Sequence, residues 1–441
     1  MICIRRSTPG RLRTAARARD ACYNRVGARF TRNGAETVDF MGYDLSRLRQ
    51  VSDQVAVVGV GDTDYAKDYE AARVARQEGR EEIGALDSYG LAALAFRRAL
   101  ADSGLKKEDI DGIAVGGPVV HQRVCEILGI NPVWGIEGHQ SDILLPLAVQ
   151  AIASGACTTV ALIYGNAQRS MGTRYGGGGI GSDQPTSYYY YHPWGWSSQG
   201  AHYAMMFKAH QLMYGSTEEQ LGTVSRTIRK HAMLNDNAVM KTPISEDEYN
   251  NARYIARPLK IYDYCLVNDG GVAIILTTKE RAKDLPKTPV LVSGFGRATA
   301  EIGATQLRDR MFDLYHEVLK QSGDQAFAMS QMTTKDVGHF QTYDAFSVHL
   351  PINLEGFGFC KPGEGLEYIQ DGRIEIGGEL PCNTSGGMLS ESYMQSWNHQ
   401  VEAVRQLRHE AGRRQVEDVQ TSMFCHHGSG GAFSIMYRRG N

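Results

Sequence analysis

The stretch NDGGVAIILTTKERA, Asn268–Ala282, has the form of a buried strand, with a glycine pair at its start, an apolar run and a basic exit. The end of the chain repeats this form in GSGGAFSIMYRRGN, Gly428–Asn441. A second pair of similar stretches, VAVVGVGDTD at Val55–Asp64 and VLVSGFGRAT at Val290–Thr299, carries Gly-x-Gly at the end of an apolar strand. Two sets of recurring strands predict a chain built from two halves of one design.

Helical patterns alternate with these strands in the first half. The segment Asp87–Leu105 is typical of an amphipathic helix that begins at an Asp or Ser cap and stops at Gly104. The segment Ser141–Ala156 predicts a nearly all-apolar helix, with Pro146 in its first turns, where proline is tolerated. Strand and helix in alternation predict an α/β fold.

Residues 168–257 interrupt the alternation with a segment rich in Gly, Tyr and Trp, followed by helical patterns in which Ser216 and Glu219 suggest a capping box. We therefore expect two halves, 53–285 and 286–441, with a loop domain inserted in the first. Long aromatic insertions more often bind a ligand than fill space, although a self-packed lid is the alternative. The residues expected to line a substrate pocket are Tyr190, Trp194, Trp196 and His202.

The segment before residue 53 differs from the rest of the chain. Its first 40 residues hold nine Arg, no Lys and three acidic residues, without the apolar core of a secretory signal. We interpret residues 1–52 as a disordered extension. One alternative is that the start codon is assigned too far upstream and that translation begins at Met41. A transit peptide is the other alternative.

Bulk properties exclude several classes of function. A net charge of −2 does not favour nucleic-acid binding. Eight cysteines without a CxxC pair indicate reduced thiols and a cytoplasmic protein, and no apolar run is long enough for a membrane span. Neither Gly-x-Gly turn completes a dinucleotide fingerprint, so no nicotinamide cofactor is expected. The adjacent His426 and His427 cannot easily face one ion, so no metal is expected either.

Four stretches, together with the doubled pattern, resemble the thiolase superfamily and in particular its sterol-carrier-protein-type branch. The resemblance covers about residues 53–441 and implies two βαβαβ-type halves in a five-layer αβαβα arrangement. It also implies a homodimer that pairs through the strand and helix near the family's nucleophile position. The four stretches are DYCLVNDGGVAIILT, YDAFSVHLPINLEGFGFCKPGEG, GGELPCNTSGGMLS and HHGSGGAFSIMY.

The catalytic residues of that branch are replaced in this chain. Gly138 stands at about the position of the nucleophilic cysteine, beside His139, and both are expected to line the substrate pocket. The branch's His-Asp-Cys-Phe motif has become Tyr-Asp-Ala-Phe, beginning at Tyr343, and its Gly-His-Pro histidine has become Tyr393. Thiolysis needs a thiolate nucleophile, so ordinary thiolase activity is not expected.

Paired tyrosines suit a reaction that needs only proton transfer and enolate stabilisation, such as retro-aldol cleavage of a β-hydroxyacyl-CoA. The sequence resembles the thiolase-fold aldolases that cleave CoA-activated steroid side chains. That resemblance implies a 17-hydroxy-20-carboxyl-CoA steroid that yields a 17-ketosteroid and a short acyl-CoA. It also implies a small zinc-ribbon/OB-fold partner, with no cofactor in this chain and zinc only in the partner.

The roles of individual residues stay open at this level. Either tyrosine could be the base on the substrate hydroxyl, with the other protonating the enolate. Asp344, Cys425 and His426 could tune or relay protons, and the glycine-rich loop around Gly430 could form an oxyanion hole. Two other functions are possible: a Claisen-type thiolase or acyltransferase that uses another nucleophile, and a non-catalytic acyl-CoA-binding subunit.

Overall fold

The structure is a computed structural model that describes residues 46–77, 86–138, 140–172, 194, 199–299, 315–428 and 431–440. Two compact units are distinguished, Met1–Gln50 and Val51–Asn441. In the first unit the structure describes one short helix, α1 (Ser46–Arg49), and all other described elements belong to the second. Among the helices in these ranges, none is long and apolar enough to cross a membrane.

The described strands form one large mixed sheet and one small hairpin. Nine strands form the sheet in the order β3-β2-β4-β7-β1-β8-β11-β10-β9, and β5 pairs with β6. The strands are β1 (Val55–Asp62), β2 (Gly112–Gly116), β3 (Trp134–Gly138), β4 (Thr159–Ala167), β5 (Tyr254–Ala256), β6 (Leu259–Lys260), β7 (Asp269–Thr278), β8 (Val290–Thr299), β9 (Phe340–Thr342), β10 (Thr421–Gly428) and β11 (Gly431–Arg439).

Helices connect these strands and pack against the sheet. The helices of the second unit are α2 (Tyr65–Gln77), α3 (Ser88–Ser103), α4 (His121–Leu128), α5 (Ser141–Ala153), α6 (Gln199–Tyr214), α7 (Glu218–Ala232), α8 (Glu246–Asn250), α9 (Lys279–Ala282), α10 (His316–Ser330), α11 (His349–Gly356), α12 (Gly365–Ile369), a π-helix (Gly387–Glu391) and α13 (Trp397–Arg408). Short 3-10 turns lie at Lys107–Asp109, Ile261–Asp263, Thr334–Asp336 and Gly412–Arg414.

The order of strands recurs on the two sides of the antiparallel β1–β8 pair. Outward from this pair, the first half runs β1, β7, β4, β2, β3 and the second runs β8, β11, β10, β9. Beyond β9, a parallel bridge from Phe340 to Cys382 lies where β3 lies in the first half. The recurrence supports the proposed division into halves 53–285 and 286–441, and the boundary between them stays a prediction.

The two Gly-x-Gly stretches have the same structural role in both halves. A Cβ atom added to Gly61 of β1 would lie 2.3 Å from the carbonyl oxygen of Ala95 in α3. One added to Gly296 of β8 would lie 1.9 Å from the carbonyl oxygen of Ser322 in α10. These glycines therefore allow a helix backbone to rest directly on its strand, which accounts for them without a bound nucleotide.

We expect Gly296→Ala to destabilise the fold by about 3 kcal/mol, because the new methyl group would overlap a backbone oxygen that cannot rotate away. The matched control is Gly338→Ala, where an added Cβ would meet only ordinary contacts at 3.4 Å or more. Chemical denaturation of both variants measures the difference. Equal stabilities would show that α10 shifts freely and that the glycine is not required for packing.

Two helices agree closely with the sequence pattern. Helix α3 begins at the predicted cap, where the Asp87 carboxylate accepts a hydrogen bond from the Gly90 N–H at 2.7 Å. It ends at Gly104, whose φ of 74° is the left-handed conformation that glycine favours. Helix α5 has the predicted start and contains Pro146, but it ends at Ala153, three residues before the predicted end.

The predicted capping box of α7 is wrong by one residue. Thr217 is the cap, and it exchanges hydrogen bonds with Gln220 in place of the predicted Ser216 and Glu219. The hydroxyl of Ser216 instead contacts Nδ1 of His210 at 2.6 Å. A contact between helix α6 and the loop that follows it therefore takes the side chain that the local pattern assigned to the cap.

The insertion lies between two neighbouring strands of the sheet, β4 and β7, and contains α6, α7, α8 and the β5–β6 hairpin. Tyr203 of α6 stacks on Phe346 and packs against His349, with ring centroids 4.5 and 4.3 Å apart respectively. This helix therefore covers loops of the second half. The predicted limits 168–257 of the insertion stay a prediction.

Candidate active site

Two buried tyrosines from separate loops meet at the ends of the second-half strands. The hydroxyl oxygens of Tyr343 and Tyr393 lie 3.5 Å apart, and the side chains are 7% and 6% exposed. The structure thus brings together the two tyrosines that the sequence predicts as catalytic. Nothing in their spacing of 50 residues requires this contact.

Tyr343 is held by the backbone that follows β9. Its N–H donates to the carbonyl oxygen of Cys425 in β10 at 2.9 Å. The side-chain amide of Asn383 accepts from the Thr342 N–H at 2.8 Å and donates to the Thr342 carbonyl oxygen at 2.9 Å. These bonds fix the backbone that leads into Tyr343.

Tyr393 is held by a residue of the recurring strand motif. Asn268, which precedes β7, accepts a hydrogen bond from the Tyr393 N–H at 2.7 Å, and its Nδ2 donates to the hydroxyl of Ser392 at 2.6 Å. Asn268 is fully buried. Sequence reasoning missed its role. The sequence did contain a clue, an amide side chain beside the glycine pair that begins a buried strand, because a buried amide needs hydrogen-bond partners.

Asp344, predicted as catalytic, has its contacts beneath the Tyr393 loop. Its carboxylate accepts from the Met388 N–H at 2.7 Å and lies 3.1 Å from Nε2 of His399 in α13. Gly387 has a φ of +53°, and a Cβ atom there would lie 2.2 Å from Oδ2 of Asp344. The absence of a side chain at Gly387 therefore allows the carboxylate to approach the loop. These contacts are those of a brace for the loop, and a direct part in the chemistry stays a prediction.

His426, also predicted as catalytic, lies against Tyr343 with ring centroids 4.1 Å apart. Its Nδ1 contacts Oδ2 of Asp142 at 2.6 Å, and the Phe433 ring stacks against it with centroids 5.7 Å apart. Asp142 lies in the first turn of α5 and is 2% exposed. Sequence reasoning missed Asp142, although an acidic residue in the first turn of a helix predicted to be almost entirely apolar stands out from its neighbours.

The neighbouring histidines face different surroundings, as strand geometry requires. Nδ1 of His427 contacts Oδ1 of Asn353 at 2.6 Å, and its ring packs against His349 with centroids 4.6 Å apart. Burial lowers the pKa of His349 to about 3 and that of His427 well below its usual value. Within the described residues, no group of three or more potential ligands could hold a metal ion.

The surroundings of Tyr393 keep its hydroxyl protonated. Burial, reinforced by Tyr343 and Cys265, raises the pKa of Tyr393 well above its usual value near 10. The sequence had left open that a cation or a hydrogen-bond donor lowers the pKa and makes this tyrosine a base. The structure places Tyr393 in the opposite situation, with a protonated hydroxyl, and its role in proton transfer stays a prediction.

No described cysteine is prepared to act as a nucleophile. Burial raises the pKa of each of the six thiols in the part of the chain that the structure describes, which are Cys125, Cys157, Cys265, Cys360, Cys382 and Cys425. Cys425, predicted as a possible relay, is fully buried in β10. Gly138, predicted to stand at about the family's nucleophile position, ends β3, where an added Cβ would meet Leu144 at 3.2 Å.

The predicted pocket residues are only partly described. His202 packs edge-on against Tyr203 and Tyr315, with ring centroids 5.4 and 6.5 Å apart. Tyr203 packs against His349, and the His349 ring in turn contacts Tyr343. Trp194 is 87% exposed. A role for either in substrate binding stays a prediction. The remaining predicted positions lie outside the described residues: His139, Tyr190, Trp196 and Gly430.

A buried carboxyl group supports the loop that holds Tyr393. Glu391 ends the π-helix, and it accepts hydrogen bonds from Ser385 at 2.6 Å, Asn398 at 2.8 Å and Asn235 at 2.9 Å. Burial, reinforced by the Glu402 carboxylate, raises the pKa of Glu391 to about 8. The carboxyl group is therefore protonated in the folded protein at neutral pH, whereas it ionises near 4.5 in the unfolded chain.

We expect Glu391→Gln to change how stability depends on pH. The raised pKa makes the wild type lose stability as pH rises from about 4.5 to about 8, by up to about 1.4 kcal/mol per pH unit. Glutamine does not titrate, so the variant lacks this loss. Its Tm should increase relative to the wild type between about pH 5.5 and about pH 8.5. A constant difference in Tm over that range would mean that Glu391 ionises at its ordinary pKa.

Comparisons with known proteins agree with this fold. A family model described as "Thiolase C-terminal domain-like" matches residues 300–437. The chain is 34% identical to the "17-hydroxy-3-oxo-4-pregnene-20-carboxyl-CoA lyase" of Mycobacterium tuberculosis, over 81% of this chain and 92% of that protein. It is 32% identical to the "Steroid side-chain-cleaving aldolase" of Thermomonospora curvata, over 80% of this chain and 90% of that protein.

A solved structure described as "Ltp2-ChsH2(DUF35) aldolase" matches with a TM-score of 0.77 and 28% identity, over 88% of this chain and 98% of the other. The fold and the matches point to the same class of protein: the chain belongs to the thiolase superfamily. Within it, the chain groups with the steroid side-chain aldolases. The predictions of a thiolase-like α/β fold and of this resemblance are confirmed.

Proposed function

We propose that this chain is a carbon–carbon lyase that cleaves a bulky β-hydroxyacyl-CoA by a retro-aldol reaction. The substrate class is a steroid with a hydroxyl at C17 and a CoA-esterified side chain, and the products are a 17-ketosteroid and a short acyl-CoA. Two relatives that cover four fifths of this chain are named as a lyase and an aldolase of such side chains. They support this assignment of substrate class.

The reaction needs a base, a proton donor and a group that stabilises an enolate, but no covalent bond to the enzyme. A base removes the proton of the β-hydroxyl, and the C–O bond becomes the carbonyl of the ketone. The Cα–Cβ bond breaks, and its electrons form the thioester enolate. A donor then returns one proton to Cα, so no proton, electron or water is gained or lost.

The observation that carries the proposal is the pair of tyrosine hydroxyls 3.5 Å apart in a buried site. Tyr393 has a raised pKa and can therefore donate to the enolate. Tyr343 lies beside it and can share the developing charge through its own hydroxyl. A pair of donors in a site that excludes water stabilises an enolate more effectively than the same donors would in solution.

The thiolase alternative differs in a way that mass spectrometry detects. A thiolase or Claisen enzyme forms an acyl-enzyme on cysteine, whereas a retro-aldol lyase forms none. The raised pKa values of the six described thiols argue against a thiolate. We expect the intact mass of the protein to stay unchanged during turnover of the substrate. A stable increase equal to an acyl group, lost in a Cys→Ser variant, would contradict this proposal.

A product assay tests the proposal directly and separates it from a non-catalytic acyl-CoA-binding subunit. The probe is 17-hydroxy-3-oxo-4-pregnene-20-carboxyl-CoA, the compound in the name of the mycobacterial relative. We expect equal amounts of a 17-ketosteroid and a shortened acyl-CoA, detected by liquid chromatography and mass spectrometry. Binding of the probe without either product would indicate the non-catalytic function.

The assembly is part of the same proposal. The solved aldolase of 28% identity is named with a second component, ChsH2(DUF35), which supports a partner subunit for this chain. We propose that this partner is a small zinc-ribbon/OB-fold protein and that any zinc lies in it. We also propose a cytoplasmic homodimer formed through β3, the outermost strand on one side of the described sheet. Light scattering of co-expressed protein measures the stoichiometry.

A further inference from the structure

Helix α6 of the insertion lies against the second half through two side-chain contacts with helix α11. Near the start of α6, Tyr203 packs against His349, with ring centroids 4.3 Å apart. About two turns further along α6, Nε2 of His210 lies 2.9 Å from Oε1 of Glu355. The Tyr203 ring also stacks on Phe346, with centroids 4.5 Å apart. These contacts hold the Tyr203 ring in a defined position on the second half.

Packing explains the ring of Tyr203 but not its hydroxyl group. The side chain is 7% exposed, and its hydroxyl makes no hydrogen bond within the part of the chain that the structure describes. A phenylalanine at this position would keep every ring contact and would avoid the cost of burying a hydroxyl without a partner. Burial raises the pKa of Tyr203, so the hydroxyl stays protonated and can donate a hydrogen bond. A bound ligand would supply the missing acceptor.

The hydroxyl of Tyr203 borders a space that is open because residue 428 is a glycine. A Cβ atom added to Gly428 would lie 3.5 Å from the hydroxyl oxygen of Tyr203 and 3.1 Å from Nε2 of His426. The His426 ring in turn lies against the ring of Tyr343, with centroids 4.1 Å apart. The space therefore lies one side chain away from the tyrosine pair, and a small polar group of a substrate has room in it.

We infer that the Tyr203 hydroxyl binds the substrate by donating a hydrogen bond to the oxygen of the β-hydroxyl group. The inference rests on the proposed retro-aldol reaction and names the residue that recognises the hydroxylated side chain. This oxygen loses its proton and becomes the carbonyl oxygen of the ketone, so a fixed donor positions it and stabilises its developing charge, whichever residue takes the proton. A CoA ester without the hydroxyl leaves Tyr203 unpaired and should bind more weakly.

Binding of two uncleavable ligands to the complex co-expressed with its partner tests the inference. Both are thioether analogues of 17-hydroxy-3-oxo-4-pregnene-20-carboxyl-CoA, in which a methylene group replaces the thioester carbonyl, and only one of them carries the 17-hydroxyl. Without the carbonyl no enolate can form, so isothermal titration calorimetry measures Kd without turnover. We expect the wild type to bind the hydroxylated analogue about tenfold more tightly, as one buried hydrogen bond would provide. Tyr203→Phe should reduce this preference to less than about twofold.

The matched control is Tyr264→Phe, which removes another buried hydroxyl that has no hydrogen bond among the described residues. A Cβ atom added to Gly200, in the first turn of α6, would lie 2.5 Å from this hydroxyl oxygen, so the helix covers it and no ligand reaches it. Tyr264→Phe should keep the tenfold preference. Neither variant loses a hydrogen bond, so both should keep Tm within about 2 °C of the wild type. If Tyr264→Phe removes the preference as Tyr203→Phe does, the inference is overturned.

Gly428→Ala gives an independent test that leaves Tyr203 in place, because the added methyl group occupies the space beside its hydroxyl. We expect this variant to weaken binding of the hydroxylated analogue by about tenfold and to change Kd of the other analogue by less than about threefold. Unchanged binding of the hydroxylated analogue, or equal weakening of both, would show that the hydroxyl does not enter this space. Either result overturns the inference.

The outcomes separate this inference from the proposed reaction, since neither analogue is cleaved. A wild type that cleaves the thioester without free CoA but binds both analogues equally keeps the proposed reaction and overturns the role of Tyr203. A preference that disappears in Tyr203→Phe supports the contact with the hydroxyl, even if cleavage of the thioester requires free CoA. Only the proposed reaction would then be overturned.

Discussion

Replacement of Tyr393 by phenylalanine is expected to lower kcat by about 10²–10⁴, the usual range for loss of a positioned proton donor. The ring remains and only the hydroxyl is lost, so packing of the buried side chain is preserved. We expect Tm to change by less than about 2 °C. Steady-state kinetics and thermal unfolding of the same preparation measure both quantities. A variant with normal kcat would show that the hydroxyl pair is not the catalytic centre.

The control for this variant is a buried tyrosine with a purely structural contact. The Tyr249 hydroxyl donates to the Asp263 carboxylate at 2.9 Å, in the insertion. Loss of a buried hydrogen bond to a carboxylate costs about 1.5–3 kcal/mol, so Tyr249→Phe should lower Tm and leave kcat within about twofold. The two variants should therefore show opposite effects on activity and stability. Similar effects in both would indicate that Tyr393→Phe acts through the fold.

Replacement of Asp344 by alanine is expected to destabilise the protein by about 3–5 kcal/mol, because it removes one partner from a buried hydrogen-bonded pair. The Met388 N–H and the His399 imidazole, at 2.7 and 3.1 Å from the carboxylate, would lose their acceptor. Activity should fall together with stability, since the loop that carries Tyr393 rests on these contacts. Denaturant unfolding and kcat on one preparation measure the two effects.

The sequence suggested instead that Asp344 tunes or relays protons. That hypothesis predicts a large loss of kcat in Asp344→Asn with normal stability, because asparagine keeps the shape of the side chain and loses its charge. The contacts of the carboxylate favour a structural role. A stable Asp344→Asn protein with strongly reduced kcat would contradict the structural role and restore the one inferred from the sequence.

Features set by neighbouring residues were predictable from the sequence. The cap at Asp87 and the stop at Gly104 depend on residues within one turn of α3, and both were correct. The capping box of α7 failed because Ser216, in the loop between α6 and α7, is engaged by His210 of α6, a side-chain contact that the capping pattern does not encode. Helix ends are generally less predictable than helices for this reason.

The candidate site was predictable where it follows a family motif. Tyr343 and Tyr393 stand at positions that the resemblance identifies, and the structure brings their hydroxyls together. Asp142 could not be found in this way, because its partner His426 is 284 residues away. The role of Asn268 could not be predicted for the same reason, since its contact with Tyr393 spans 125 residues. Contacts of this length depend on sheet order, which local patterns do not determine.

The most direct test of the central claim is the dependence of cleavage on free CoA. The complex of this chain with its partner is incubated with 17-hydroxy-3-oxo-4-pregnene-20-carboxyl-CoA after all free CoA has been removed enzymatically. Retro-aldol cleavage uses no second substrate, so ketone and shortened acyl-CoA should form at a rate that added CoA does not increase. If cleavage occurs only when CoA is added, the reaction is thiolysis, and the roles proposed for Tyr343 and Tyr393 are wrong.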